Sequence, residues 1–186
     1  MSAAGSPASA GDLEVTRLGS GPGILFVHGS VVGAQRTWRH QLALAERYSL
    51  ILPNRPGFGS SPALPRGDFE AEAPLFAELL GSGAHLVGHS YGSVIALHVA
   101  SLRPEAVRSL VISEPGCLRI AAGNPHVDAY ISNGDMLFAH AGELTPLDFL
   151  HAFRGGVGST HETPDELEGE LLAGVRLLMQ IGRAHV

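Results

Sequence analysis

The stretch Gly88-His89-Ser90-Tyr91-Gly92 constrains this chain more than any other, because it is wedged between a short apolar run, Ala84 to Gly88, and a segment of helical character, Ser90 to Leu102. A serine on so tight a strand-to-helix turn must take a strained backbone, and the flanking glycines avoid collisions that side chains would suffer there. The Ser90 hydroxyl is then expected to stand above the end of the strand. The backbone N–H of Tyr91 falls in the first turn of the helix, where unpaired donors and the positive end of the helix dipole favour negative charge. G-x-S-x-G alone is a common string, and the strand and helix on its two sides are what make Ser90 a candidate nucleophile. Gly88, His89 and Gly92 are read as structural parts of the turn.

The chain before Gly116 supplies a matching sheet. Leu13 to Leu18 reads as a short strand, Ile24 to Val27 as a buried one, Arg36 to Tyr48 as a helix, and Leu50 to Leu52 as a strand stopped by Pro53. Phe69 to Leu80 has helical spacing, and Val107 to Ile112 is a further apolar run. Strands alternating with helices predict an α/β fold, a parallel sheet with helices on both faces. After Gly116 no further buried strand is legible. Helical candidates lie at Val127 to His140, Pro146 to Phe153 and Pro164 to Met179, so residues 117–179 are expected to form a helical cap or lid on the 12–116 core. Residues 1–11, rich in Ala, Ser and Gly, are expected to be a disordered tail. The last strands and helix needed to complete such a sheet are expected to be missing. Ile181-Gly182-Arg183-Ala184-His185-Val186 is what ATC GGA AGA GCA CAC GTC encodes, a widely used DNA-library adapter whose next triplet is a stop. Residues 180–186 are therefore expected to be non-native.

Composition bounds the partners. With 45% hydrophobic and 16% charged residues the chain belongs with globular proteins, and a net charge of -6 with no basic patch argues against nucleic acid. The single cysteine, Cys117, cannot form an internal disulfide, and no apolar run approaches a membrane span. A cytoplasmic protein with no membrane partner is the expectation.

His28-Gly29-Ser30 ends the strand Ile24 to Val27, where a second donor for a developing oxyanion is needed. The Ser30 N–H is the candidate, Gly29 permits the turn, and His28 is read as structural. Together with Trp38, the loop Asn54-Arg55-Pro56-Gly57-Phe58-Gly59-Ser60-Ser61-Pro62 and the Ser90 turn, these residues resemble the α/β-hydrolase superfamily in its epoxide-hydrolase, haloperoxidase and esterase-like branch. The likeness covers about Leu13 to Gly116. Two positions depart from it: Asn54 stands where relatives commonly carry Asp, and Val31 where a proline often follows the His-Gly-x turn.

The resemblance implies a cofactor-independent, metal-free serine hydrolase acting on a small ester or related acyl compound. It favours a serine ester over epoxide opening, which uses a carboxylate nucleophile in this family. Its chain order is Ser, then acid, then His. Glu114, at the end of the strand Val107 to Ile112, is a candidate acid, or it merely terminates the strand. The catalytic histidine is expected to be absent: His126, His140, His151 and His161 all lie in the helical cap without a strand end beside them. The chain by itself is then expected to be inactive. Met136, Leu137, Phe138, Leu147, Phe149, Leu150 and Phe153 either line an apolar acyl pocket or pack the cap. A non-catalytic small-molecule binder on the same scaffold, or acyl transfer, perhydrolysis or carbon–carbon bond hydrolysis from the same serine, are the alternatives.

Overall fold

A computed structural model describes residues 9–65, 67–159 and 162–181. The strands are β1 (Val15–Leu18), β2 (Gly23–Val27), β3 (Ser49–Pro53), β4 (Ala84–His89) and β5 (Val107–Ser113), forming one five-stranded sheet in the order β1-β3-β2-β4-β5. β2 pairs in parallel with β3 and β4, and β4 with β5, while β1 lies antiparallel on β3. The sheet is thus mixed where strand–helix alternation predicts a parallel one. The cause is local: only residues 19–22 link β1 to β2, too few to carry the chain back along the sheet, so β1 runs opposite to β2 and therefore opposite to β3, which lies between them parallel to β2.

One face of the sheet buries Leu25, Val27 and Leu86 against α2 (Phe69–Leu79) and α3 (Tyr91–Leu102), with Phe76, Ile95 and Val99 fully enclosed. The other face places Ile24, Phe26, Leu50 and Leu52 against Trp38. Here the predicted helix over Arg36–Tyr48 is two pieces, α1 (Ala34–Thr37) and a 3-10 turn at Leu42–Glu46. Trp38 is buried with its ring 4.9 Å from that of Phe26 and takes a non-helical backbone, so burial of one large ring overrides helical propensity.

Order also extends into the predicted tail. Asp12 accepts from the backbone N–H and hydroxyl of Ser9, and Ala10 is buried; residues 1–8 lie outside the described residues. Beyond β5 come α4 (Pro125–Ala139), α5 (Pro146–Gly156) and α6 (Gly169–Ile181), which enclose a core of their own around Phe149, Leu150, Leu171, Val175 and Leu178. α5 runs past Phe153 to include Gly155 and Gly156, and α6 begins at Gly169, with φ 51°, later than Pro164. Of the segment expected to be non-native, Gln180 and Ile181 continue α6 and residues 182–186 lie outside the described residues.

Among the described residues β5 pairs only with β4, and Leu110, Val111 and Ile112 are 36%, 53% and 40% exposed. An open apolar edge of this kind templates further strand pairing. The 186-residue chain on its own is expected to self-associate as its concentration rises, and Val111→Lys to shift it toward monomer in sedimentation velocity. A wild-type chain that stays monomeric throughout contradicts this.

Candidate active site

The end of β4 is crowded by design of its neighbours. A Cβ on Gly88 would lie 2.5 Å from the Gly92 carbonyl oxygen and 2.7 Å from Ser93 Cα, and one on Gly92 would collide with the carbonyl oxygens of Val27 and His28. With both positions reduced to glycine, α3 starts directly against β2. Between them Ser90 is held at φ 54°, ψ -123°, a conformation that costs a non-glycine residue about 1–3 kcal/mol and persists only where its surroundings enforce it. The enforcing contacts come from β5: Ser113 O accepts the Ser90 N–H at 2.9 Å and the Ser93 hydroxyl at 2.8 Å.

The turn after β2 meets this elbow. A Cβ on Gly29 would stand 3.1 Å from Ser90 Cβ and 3.2 Å from His89 Nδ1, so the Gly29-Ser30 segment lies against Ser90. His28, fully buried, donates from Nδ1 to Gly29 O and accepts the Arg55 N–H at Nε2, both at 2.9 Å. Those two bonds require the neutral ring with its proton on Nδ1. Burial, then the nearby Arg55 guanidinium, hold its pKa well below the ordinary 6.5.

Arg55 is also fully buried. Its Nε and Nη2 each donate to Glu72 of α2 at 2.8 Å, its Nη1 donates to Gly29 O at 2.9 Å, and its guanidinium lies 4.0 Å from the centre of the Tyr91 ring. Gly29 O is therefore gripped by two donors, and in a trans peptide the N–H of the same unit, that of Ser30, points the opposite way. No local sequence pattern announces the role of Arg55, because its partners lie 17 to 36 positions away in the chain.

Two further residues secure the same turn. Asn54 Oδ1 accepts from Ala34 N at 2.8 Å while its side chain also bonds Glu14, whose carboxyl is held below its usual range first by the Ser60 N–H and then by Asn54. The amide suits this position, since an Asp would set a second carboxylate beside Glu14. From α6, Glu170 accepts the Gly33 N–H at 2.7 Å, and Gly174 packs directly on the Val31 carbonyl.

Glu114 follows β5 directly, at φ 51°, is exposed, and lies 3.3 Å from His89 Nε2, so it faces the elbow histidine. His126, His140 and His151 are exposed on the cap, with His140 Nδ1 bonded to Met136 O, and His161 lies outside the described residues. Phe149 and Leu150 are fully buried inside the cap, with Leu137, Phe138 and Phe153 packed around them, whereas Met136 is exposed. Most of the predicted pocket residues therefore pack α4, α5 and α6 together. Among the described residues no group of three or more His, Cys, Asp or Glu is placed to hold a metal ion, and no helix is long and apolar enough to cross a membrane.

Two outcomes follow from this geometry. Because folded His28 resists protonation, the unfolded chain takes up a proton below about pH 6.5 that the folded one refuses, so stability is lost as pH falls through that range. The urea midpoint is expected to drop between about pH 7.5 and 5.5, and His28→Gln to flatten that slope; an unchanged slope contradicts it. Gly92→Ala is expected to cost about 1–3 kcal/mol or more in urea unfolding, because backbone must move to admit the methyl group.

The model of the Alpha/beta hydrolase family matches residues 24–180. A pimeloyl-[acyl-carrier protein] methyl ester esterase of Chromobacterium violaceum is 36% identical over 166 residues, covering 87% of this chain and 65% of the esterase. Lipase LipV of Mycobacterium tuberculosis is 34% identical over 133 residues, covering 68% of this chain and 51% of the lipase. The chain thus spans less than two thirds of the length of these relatives. Among solved structures, an epoxide hydrolase from Bacillus megaterium superposes with a TM-score of 0.68 at 19% identity, over 92% of this chain and 68% of the other, a likeness of fold. With the elbow, the turn after β2 and the family match in agreement, the chain belongs to the α/β-hydrolase family.

Proposed function

We propose that this chain carries the nucleophile and the oxyanion site of a serine hydrolase that cleaves a small carboxylic ester or related acyl compound. The observation that carries this reading is Ser90 at φ 54°, ψ -123°, at the head of α3 and against Gly29. A residue outside glycine pays for such a backbone only where the surroundings hold it, and functional sites are where strain of this kind concentrates. Ser90 Oγ attacks the acyl carbon, its proton passes to a histidine, and the carbonyl oxygen becomes an oxyanion accepted by the Ser30 and Tyr91 N–H groups. Collapse expels the alcohol, which receives the proton, and water repeats the sequence on the acyl-serine to release the acid.

The histidine is to come from outside the described residues. His28 is locked by two hydrogen bonds in a neutral, buried state, His89 turns to Glu114, and His85 bonds Ser109, so none of these is placed to serve Ser90. Glu114 stays the candidate acid on position alone, at the strand end beside the elbow. An esterase and a lipase among the relatives favour ester chemistry, and a serine at the elbow favours it over epoxide opening. No cofactor enters this sequence of steps.

In the full-length protein, a fluorophosphonate probe is expected to label wild type and to leave Ser90→Ala unlabelled, with hydrolysis of p-nitrophenyl butyrate falling at least about a thousandfold in the variant. Labelling that survives Ser90→Ala would falsify the assignment.

A further inference from the structure

The guanidinium of Arg55 touches both the Gly29-Ser30 peptide and the side chain of Tyr91. It donates from Nη1 to Gly29 O, which sets the plane of the Gly29-Ser30 peptide, and its flat face lies 4.0 Å from the ring of Tyr91, the residue that opens α3. Its other nitrogens are spent on Glu72, which roots it in α2. Fully buried, it cannot be a surface charge that happens to lie near, and the bidentate pair with Glu72 leaves its plane no freedom to swing.

We propose that Arg55 is a positioning residue that orients the Ser30 N–H group toward the oxyanion, the ion pair with Glu72 serving as its anchor and the Tyr91 ring as the surface its guanidinium rests on. This rests on the serine-hydrolase reading of Ser90. The physical reason is geometric. A peptide unit whose carbonyl is gripped from one side by His28 and Arg55 presents its N–H to the other side at a fixed angle. Oxyanion donors act on charge that develops only in the transition state, so their misplacement lowers turnover and leaves ground-state binding alone. Lysine cannot replace the fork, since one ammonium has neither the parallel donors for Glu72 nor the flat face for Tyr91.

Removing Arg55 alone would leave Glu72 buried and unpaired, which confuses folding with function. The test therefore uses the full-length protein with the pair replaced together, Arg55→Met with Glu72→Leu, since a buried ion pair exchanged for apolar residues of similar volume is often neutral for stability. With p-nitrophenyl butyrate, kcat is expected to fall about 100-fold and KM to change less than about threefold. Affinity for a trifluoromethyl ketone, which binds as an oxyanion, is expected to fall in step with kcat/KM. Arg55→Lys, which keeps a cation for Glu72, serves as the second variant and is expected to lose at least about tenfold in kcat. Unchanged kcat in either variant, or a loss carried by KM, overturns the role of Arg55. Should the wild-type protein fail to label at Ser90 with fluorophosphonate, the serine-hydrolase reading falls first and this role with it. Wild-type labelling beside an unaffected Arg55 variant sinks this inference alone.

Discussion

The lack of room where β2, β4 and α3 converge is the constraint from which the rest of the structure takes its form. Gly92 lies so close to the carbonyls of Val27 and His28, and Gly88 so close to Gly92 and Ser93, that no side chain fits at either position. Helix and sheet can therefore approach until Ser90 has a single way through, with positive φ, its own N–H tied to Ser113 of the neighbouring strand. Strain at one residue is sustained by the burial of two packed faces, Leu25, Val27, Leu86 and Ile95 among them, which would have to separate for it to relax.

The turn after β2 is built with comparable redundancy. His28 and Arg55 hold the Gly29 carbonyl from the core, Asn54 bonds the N–H of Ala34, and Glu170 reaches from α6 to that of Gly33. Buried polar groups are stabilising only when each finds a partner, and this turn shows how the requirement spreads outward. A neutral histidine needs the Arg55 N–H, the Arg55 guanidinium needs Glu72, and Glu72 fixes α2. α6 joins the same network through Glu170 and packs on the turn at Gly174. Val31 and Val32, partly buried against the cap core, continue that contact.

How far the sequence reveals such an arrangement depends on the range of the interactions involved. Strand–turn–helix order, the elbow and the turn at Gly29 are readable because each is specified by residues within a few positions of one another, through periodicity and glycine placement. The split helix at Trp38 is not readable, because its cause is the distant ring of Phe26. The antiparallel β1 is legible in retrospect from the short span of residues 19–22, a loop-length argument that alternation of elements alone leaves out. The Arg55–Glu72 pair and the Glu170–Gly33 bond span 17 and 137 positions, so nothing local marks them. The apolar residues after β5 show the remaining limit: the sequence leaves open whether Phe149 and Leu150 line a pocket or pack, and only the fold brings them into one core with Leu171, Val175 and Leu178 of α6.

The most direct measurement on the Ser90 site is a crystal structure of the full-length protein after reaction with a small fluorophosphonate. A phosphorus–oxygen bond is expected at Ser90 Oγ, with the phosphoryl oxygen about 2.7–3.1 Å from the backbone nitrogens of both Ser30 and Tyr91. An adduct on Ser90 whose phosphoryl oxygen turns away from Ser30, or an adduct on another residue, would contradict it.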